Sequence, residues 1–202
     1  MVRMMPGITA ARVRTLMPDL TGTGEDTTLE ALIDVADRQI AAHLGLCRND
    51  AGIHTLASST YTLRDPDLSL DAAGRIIWPD AANVTAVTSL HSDPNEAFGS
   101  DTLVSSDDYA LNTRAGFVRL KPSATALSTE PGAVKLVITA GWSSLDDALE
   151  QAVAMQVRHL FTLRRQQGQS SVSEAGVSVS LRDETIPDAV RQMVAPFRIR
   201  GL

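Results

Sequence analysis

The sequence predicts an α+β fold, with helices at both ends of the chain and an antiparallel β-region between them. Apolar residues recur at helical spacing near both ends, whereas residues 53–140 consist of short runs rich in Thr, Val, Leu and Ile. Asp, Pro, Gly and Asn break these runs, and no helical pattern separates them, so the strands are expected to pair antiparallel. Of the 202 residues, 44% are hydrophobic and 21% are charged, a balance typical of a globular protein.

The amino-terminal part is predicted to be an α-helical hairpin. Its first, short helix runs from Thr9 to Leu16, and the turn-rich residues 18–24 follow. Thr27 and Glu30 stand three apart as in a capping box, which predicts the start of a second helix ending near Gly45. The apolar stripe of that second helix comprises Leu29, Leu32, Ile33, Ala36, Ile40 and Leu44.

Six strands are predicted in the central region, as one antiparallel sheet or a small sandwich. Residues 112–116 indicate a hairpin loop, because Gly116 can adopt the positive φ that such loops need. In the last strand Val134, Leu136 and Ile138 share one face. The predicted strands are Leu56–Leu63, Arg75–Trp78, Val84–His91, Tyr109–Asn112, Gly116–Leu120 and Ala133–Thr139.

The carboxyl-terminal part is predicted to hold a long helix, a loop or hairpin, and a short helix. The long helix spans residues 144–165 and opens on Ser144, with Asp147 three residues further on. Residues 166–174 are polar and uncapped, and Pro187 suits the first position of the short helix. We therefore predict a core at 1–166 and a flexible segment with a helical arm at 167–202. The two helical stripes are Leu149, Val153, Val157, Leu160 and Phe161, and Val190, Met193, Val194 and Phe197.

The net charge of −6 is unevenly distributed along the chain. Residues 1–157 carry 11 Lys or Arg against 20 Asp or Glu, which gives −9. Residues 158–202 carry seven Arg against four acids, which gives +3. The chain therefore has an acidic body and a basic carboxyl-terminal arm, and Arg is well suited to pairing at protein interfaces.

No motif in the sequence predicts an enzyme, a cofactor or a metal site. The alternation from Asp65 to Asp71 resembles a calcium loop, but Leu70 and Ile76 stand where an EF-hand needs Gly and Glu. His43 and Cys47 are four apart on one helix end, and two ligands do not complete a zinc site. Serine is abundant, yet no Gly-x-Ser-x-Gly elbow occurs.

Composition also bears on the compartment and the partners. A single cysteine excludes an internal disulfide and favours an intracellular protein, and no apolar run reaches the ~18 residues of a membrane span. Non-specific DNA binding needs a net positive face, and single-strand binding needs aromatic platforms. The chain is net acidic with eight aromatic residues, so its arginines are expected to face protein. A DNA-binding accessory protein of packaging remains the alternative.

Several short segments together resemble the head–tail connector family, also called adaptor or head-completion proteins, of long-tailed bacteriophages and gene-transfer agents. The most specific is residues 137–142, Val-Ile-Thr-Ala-Gly-Trp, leading into the long helix. The acidic-capped helix at 25–33, the strand entry Ile77-Trp78-Pro79 and the group Asp108-Tyr109-Ala110-Leu111 fit as well. Ile186-Pro187-Asp188 and Pro196-Phe197-Arg198 fit the closing helix of the family.

The resemblance implies a structural role without catalysis or cofactors. Members look like a mainly helical bundle with an embedded antiparallel β-region, and they form a ring, usually of twelve copies, beneath the portal at the capsid vertex. Such a ring extends the DNA channel and offers a docking platform to the next neck or tail protein, while duplex DNA passes without specific binding. The resemblance thus implies assembly in the host bacterial cytoplasm and residence in the particle neck. Another neck protein, such as a tail terminator, is a further alternative, against which the helices at both ends argue.

The arm and its polar loop supply the candidate interface residues toward the portal or a neighbouring subunit. We expect residues 166–183 to become ordered only in the ring, because they are polar yet contain an alternating apolar edge. The candidates are Arg164, Arg165, Val177, Val179, Leu181, Arg191, Phe197, Arg198 and Arg200.

Overall fold

A computed structural model describes residues 8–20, 25–165, 171–174, 177–180 and 185–198. These residues form two compact units. The helical unit lies within residues 1–40 and 144–196, and the strand unit lies within 41–143 and 197–202. Each unit is therefore assembled from segments that are distant in the sequence.

Four α-helices account for the helical regions of the described chain. They are α1 (Ala10–Leu16), α2 (Asp26–His43), α3 (Asp147–Arg165) and α4 (Asp188–Val194). α1 is capped by Thr9, whose Oγ1 accepts a hydrogen bond from the Arg12 backbone N–H at 3.2 Å. α3 packs against α1 and α4, and its buried face carries Leu149, Val153 and Val157 as predicted.

The helix starts differ from the predicted capping boxes. α2 begins at Asp26, so Thr27 lies inside its first turn and does not cap it. α3 begins at Asp147, and the Asp146 carboxylate accepts from the Ala148 N–H at 3.0 Å, where Ser144 was expected to cap. Pro187 precedes α4, and its carbonyl accepts from the Arg191 N–H at 3.0 Å. α3 therefore begins three residues after the predicted start at Ser144, and α4 begins one residue after Pro187.

The strand unit contains two antiparallel sheets. Of the two predicted arrangements, the small sandwich therefore agrees better with the structure than the single sheet does. The first sheet has the order β1-β7-β4 and the second β2-β3-β6-β5, while β8 and β9 form a separate pair in the helical unit. The strands are β1 (Ser59–Leu63), β2 (Leu68–Leu70), β3 (Ile76–Pro79), β4 (Val84–Ser92), β5 (Tyr109–Asn112), β6 (Phe117–Leu120), β7 (Val134–Ala140), β8 (Ser171–Glu174) and β9 (Val177–Ser180).

One hydrophobic core joins the apolar faces of these two sheets. β7 alternates as predicted, with Leu136 and Ile138 fully buried opposite Leu90 and Tyr61 of its neighbours. Burying each large apolar side chain stabilises the fold by roughly 1.5–3 kcal/mol. The second sheet contributes Leu68, Ile77, Val118 and Leu120 to the same cluster.

The α+β class is confirmed, whereas the description as mainly a helical bundle is not. The strands occupy a unit of their own, with its own core, because their alternating faces bury each other without a helix. β2 was missed in the sequence because it is only three residues long. The predicted division at residue 166 stays a prediction. Within the described residues, no helix is both long enough and apolar enough to cross a bilayer.

Candidate assembly interface

The structure describes the side chains of four of the nine candidate interface residues, and these four fall in two different units. Arg164 is exposed on α3 of the helical unit. Arg191 is exposed on α4 and forms a 3.2 Å ion pair with Asp188 of the same helix. Phe197 and Arg198 belong to the strand unit and line a common cleft. Arg165, Val177 and Val179 are described in their backbone only, and Leu181 and Arg200 lie outside the described residues.

Phe197 contacts Trp142, which the sequence had assigned only to a fold motif. The two rings meet edge to face, with their centroids 6.2 Å apart and their planes at 78°. Backbone hydrogen bonds hold Trp142 in place: its N–H donates to the Leu56 carbonyl, and its carbonyl accepts from the Ser58 N–H, each at 2.9 Å. The indole therefore stands on a rigid extension of the first sheet.

Gly141 explains why the chain can make this extension. Its φ is +97°, and a Cβ at this position would lie 2.5 Å from the Ala57 carbonyl oxygen. Its own N–H donates to the Ala82 carbonyl at 3.0 Å, and its carbonyl accepts from the Asn83 side-chain amide at 2.9 Å. Only glycine fits such a backbone approach, which gives the Ala-Gly-Trp motif a physical reason.

An open cleft of about 820 Å³ lies in the strand unit beside these two rings. Trp78, Trp142 and Phe197 supply aromatic surface to it, and Arg114 and Arg198 supply positive charge. Phe117 packs against Trp78, with 6.3 Å between ring centroids. Both tryptophans and two of the four phenylalanines are thus half-buried at or beside the cleft instead of in a core.

The predicted hairpin loop positions Arg114. The Asn112 side-chain oxygen accepts from the Ala115 N–H at 3.0 Å, and the Asn112 carbonyl accepts from the Gly116 N–H at 2.8 Å. Gly116 has the positive φ, +72°, that was expected of it. This loop between β5 and β6 is therefore confirmed, and it holds the Arg114 guanidinium at the cleft on a short, well-bonded turn.

The chemistry of the cleft is that of a contact surface. Aromatic residues and arginine are the residue types enriched at the centres of protein interfaces. No acid among the described residues lies within ion-pair distance of Arg114 or Arg198. Burial, and then Asp67, raise the pKa of Asp80, the acidic residue that lines this cleft. Within the described parts of the chain, the cleft therefore presents two arginines without an ion-pair partner next to apolar rings.

The structure gives local explanations for the other candidate sites. Asp71 caps a turn, since its Oδ1 accepts from the backbone N–H groups of Arg75 at 2.5 Å and Ile76 at 2.8 Å, and these bonds lower its pKa. His54, a histidine outside these candidates, is also held locally, with its Nδ1 2.7 Å from the Leu46 carbonyl oxygen and its Nε2 accepting from Arg48 at 3.3 Å. Among the described residues no three His, Cys, Asp or Glu side chains are grouped to hold a metal ion.

The cleft was not predicted, although the scarcity of aromatic residues was noted. The sequence analysis assigns Trp78 and Trp142 to fold motifs only, whereas it names Phe197 both in the stripe of the last helix and, with Arg198, among the candidate interface residues. The available signal was that both tryptophans adjoin residues that break regular structure, Pro79 and Gly141.

No protein-family model and no curated protein matches the chain. Solved structures do share its fold. A chain in the virion of a native gene transfer agent particle is 20% identical, with a TM-score of 0.60 and coverage of 100% of this chain and 95% of that one. A chain in the neck of an empty particle, computed with C6 symmetry, is 22% identical at a TM-score of 0.58, and covers 99% of this chain and 98% of that chain. A chain in the neck of a native particle, computed with C12 symmetry, is 19% identical at a TM-score of 0.57, and the match covers 99% of this chain and 98% of that chain.

Proposed function

We propose that this chain is a structural subunit of the neck of a phage-like particle, a head–tail connector. In this role it forms a ring under the portal, extends the DNA channel and gives the next neck or tail protein a surface to dock on. The observation that carries the proposal is the likeness in fold over nearly the whole length of both chains to proteins of gene transfer agent necks. The proposal requires neither a cofactor nor a catalytic residue.

The charge distribution supports a role next to DNA without DNA binding. A protein that neutralises phosphates holds the duplex through the release of counterions. An excess of nine negative charges over residues 1–157 works against such retention, so DNA can slide past an acidic wall. The positive carboxyl-terminal residues are then available for acidic surfaces on the portal or on the next subunit.

The arginines of the arm differ in how free they are to make such contacts. The ion pair of Arg191 with Asp188 is exposed and within one helix, and pairs of that kind contribute only about 0.3–0.5 kcal/mol. Arg191 can therefore exchange Asp188 for an acid on a partner at little cost. In our proposal Arg191 docks the arm onto the portal together with Arg198 and Arg200. Charge reversal at all three should abolish neck assembly in particles, and intact necks would contradict this part.

Imaging of the purified protein tests the proposed function. The full chain is examined by negative-stain microscopy, alone and mixed with the portal protein of the same particle, and rings or portal-bound rings are expected. In parallel, binding of duplex DNA is measured at 50 and 200 mM salt. Strong retention at low salt that is lost at high salt, without rings in either sample, would favour the DNA-binding alternative instead.

A further inference from the structure

We infer that the cleft receives the segment Asp101–Asp108 of a second copy, with Leu103 inserted between the aromatic rings. This inference rests on the proposed ring and names the two surfaces that would build it. We call the segment the knob, and the cleft is the one lined by Trp78, Trp142 and Phe197. Both surfaces belong to the strand unit.

Leu103 is unusually placed for an apolar side chain. It is 51% exposed, and among the described residues Val35, at 40%, is the other large apolar side chain on the exposed surface. Short 3₁₀ turns at Ser100–Thr102 and Ser106–Asp108 flank it. A backbone hydrogen bond of 2.8 Å from the Val104 N–H to the Leu90 carbonyl ties it to the edge of the first sheet.

The knob is therefore preorganised. The Ser105 hydroxyl accepts from the Asp107 N–H at 3.2 Å, and the Thr102 hydroxyl donates to the Gly99 carbonyl at 2.9 Å. A segment already fixed in its exposed conformation loses little entropy on binding. A leucine held outward on such a support has the form of an anchor residue for an apolar pocket.

Charge complementarity favours a second copy as the occupant. Asp101 and Asp107 are exposed on either side of Leu103, and no ion pair is found for them among the described residues. The cleft presents Arg114 and Arg198, which likewise have no described acidic partner. One chain thus carries two complementary surfaces. The knob is apolar and flanked by acidic residues, and the cleft is aromatic and carries two arginines.

The two surfaces are different patches of one chain, so the contact between copies is head-to-tail. A head-to-tail contact generates a closed ring when the rotation between neighbours divides a full turn. Each copy in the ring then uses its knob on one neighbour and its cleft on the other. The inference therefore predicts a specific behaviour when damaged copies are mixed.

Two variants separate the surfaces without touching either core. Leu103→Asp removes the apolar side chain of the knob, and Arg114→Glu inverts the charge that the hairpin loop brings to the cleft; both residues are exposed. The matched controls are Val35→Asp and Arg38→Glu, which change exposed residues of α2 in the helical unit. Circular dichroism verifies folding, and mass photometry with and without portal follows assembly. Each damaged variant should need at least a tenfold higher concentration for assembly, whereas both controls should assemble as the unaltered chain does.

Mixing the two damaged variants gives the sharper result. An intact cleft on the Leu103→Asp copy can receive the intact knob of the Arg114→Glu copy, so the mixture should form one-to-one dimers and no rings. For a direct contact test, Leu103→Cys protein is mixed with Phe197→Cys protein under oxidising conditions, because the inference places Leu103 against this ring. A disulfide-linked heterodimer is expected, since the native Cys47 is buried.

The outcomes separate this inference from the proposed function. Rings that survive both damaged variants, or the absence of a mixed disulfide while the unaltered chain forms rings, would overturn the inference and leave the connector proposal standing. An unaltered chain that never assembles, even with portal present, would overturn both. Loss of rings in the two control variants as well would assign the effect to surface charge in general and also overturn the inference.

Discussion

The indole of Trp142 and the ring of Phe197 meet edge to face, 6.2 Å between centroids, although one follows the last strand of the first sheet and the other ends a 3₁₀ turn after α4. Edge-to-face pairs are worth about 0.5–1.5 kcal/mol beyond the apolar area they bury. This contact holds Phe197 on the strand unit, and it places the next residue, Arg198, at the cleft.

Two substitutions of Phe197 should separate ring geometry from burial. Phe197→Leu keeps most of the apolar area but loses the aromatic contact, and it should lower the free energy of unfolding by about 1 kcal/mol. Phe197→Ala loses both and should cost about 2 kcal/mol, less than a fully buried site because the ring is half exposed. Urea unfolding measures both. A Phe197→Leu chain as stable as the unaltered one would show that the geometry of the pair contributes nothing.

Gly141→Ala should be one of the most damaging small substitutions in the strand unit. The added Cβ would lie 2.5 Å from the Ala57 carbonyl oxygen while φ stays at +97°. Left-handed strain and overpacking together predict a loss of at least about 3 kcal/mol. Gly116→Ala is the matched control, because its φ is +72° with nothing within 4 Å of a Cβ, and it should lose only about 1 kcal/mol. Similar losses in the two variants would contradict this explanation.

Asp93 should contribute to the acid sensitivity of the fold. Its buried carboxylate accepts from the backbone N–H groups of Asn95, Ala97 and Phe98 at 2.8–2.9 Å, and these bonds lower its pKa below the ordinary 3.8. A lowered pKa in the folded state means that the stabilisation is present above 3.8 and is lost as the pH falls through the folded value.

The variant Asp93→Asn should therefore be less stable at pH 7 and lose less stability between pH 5 and pH 2 than the unaltered chain. An amide cannot offer both oxygens as acceptors, so part of the loop at 93–98 loses its partners. Urea unfolding across this pH range measures the effect, with the exposed Asp107→Asn as the control. Identical pH profiles for Asp93→Asn and the unaltered chain would refute the role of this carboxylate.

The thiol of Cys47 should be almost inert in the folded protein. Burial, and then the nearby Asp67 and Asp80, raise its pKa from 9.0 to about 12. The thiolate is the reactive form, so near pH 8 a shift of this size lowers its fraction roughly 1,000-fold relative to an ordinary cysteine. Titration with an aromatic disulfide reagent should show slow labelling that becomes fast in urea. Rapid labelling of the native chain would contradict the buried position.

Gln156 is the polar centre of the helical unit, and placing a charge at this position should destabilise the fold. Its fully buried amide donates to Gln39 Oε1 and to the Thr185 carbonyl, each at 2.7 Å. Gln156→Glu keeps the shape but places a carboxylate against two acceptors. We expect a loss of about 3 kcal/mol at pH 7, because a buried unpaired charge is strongly destabilising.

Part of that loss should be recovered at about pH 5, since burial raises the pKa of a carboxyl and the protonated acid can again donate one hydrogen bond. The exposed Gln192→Glu on α4 is the control and should change little at either pH. Urea unfolding at both pH values makes the comparison. A Gln156→Glu chain equally stable at pH 7 and pH 5 would show that the site admits water.

Local signals were enough to predict most elements, because a strand or turn depends on residues close together in the chain. The Asn112–Gly116 turn and the alternation of β7 needed only neighbouring residues and were confirmed. The helix starts were less accurate, because several side chains near each start compete to satisfy the same free N–H groups. At the start of α3 the free N–H of Ala148 donates to Asp146, a residue that the capping-box pattern did not include.

By itself, the sequence determined the α+β class, the order of the helices and of six strands, and the split between an acidic body and a basic arm. The tertiary structure alone decided that β7 pairs between β1 and β4, and that Trp78, Trp142 and Phe197 share one cleft with Arg114 and Arg198. The physical reason is the range of the interactions. Periodicity and turn chemistry act over a few residues, whereas a surface made of side chains far apart in the sequence exists only once sheet pairing and core packing have brought them together.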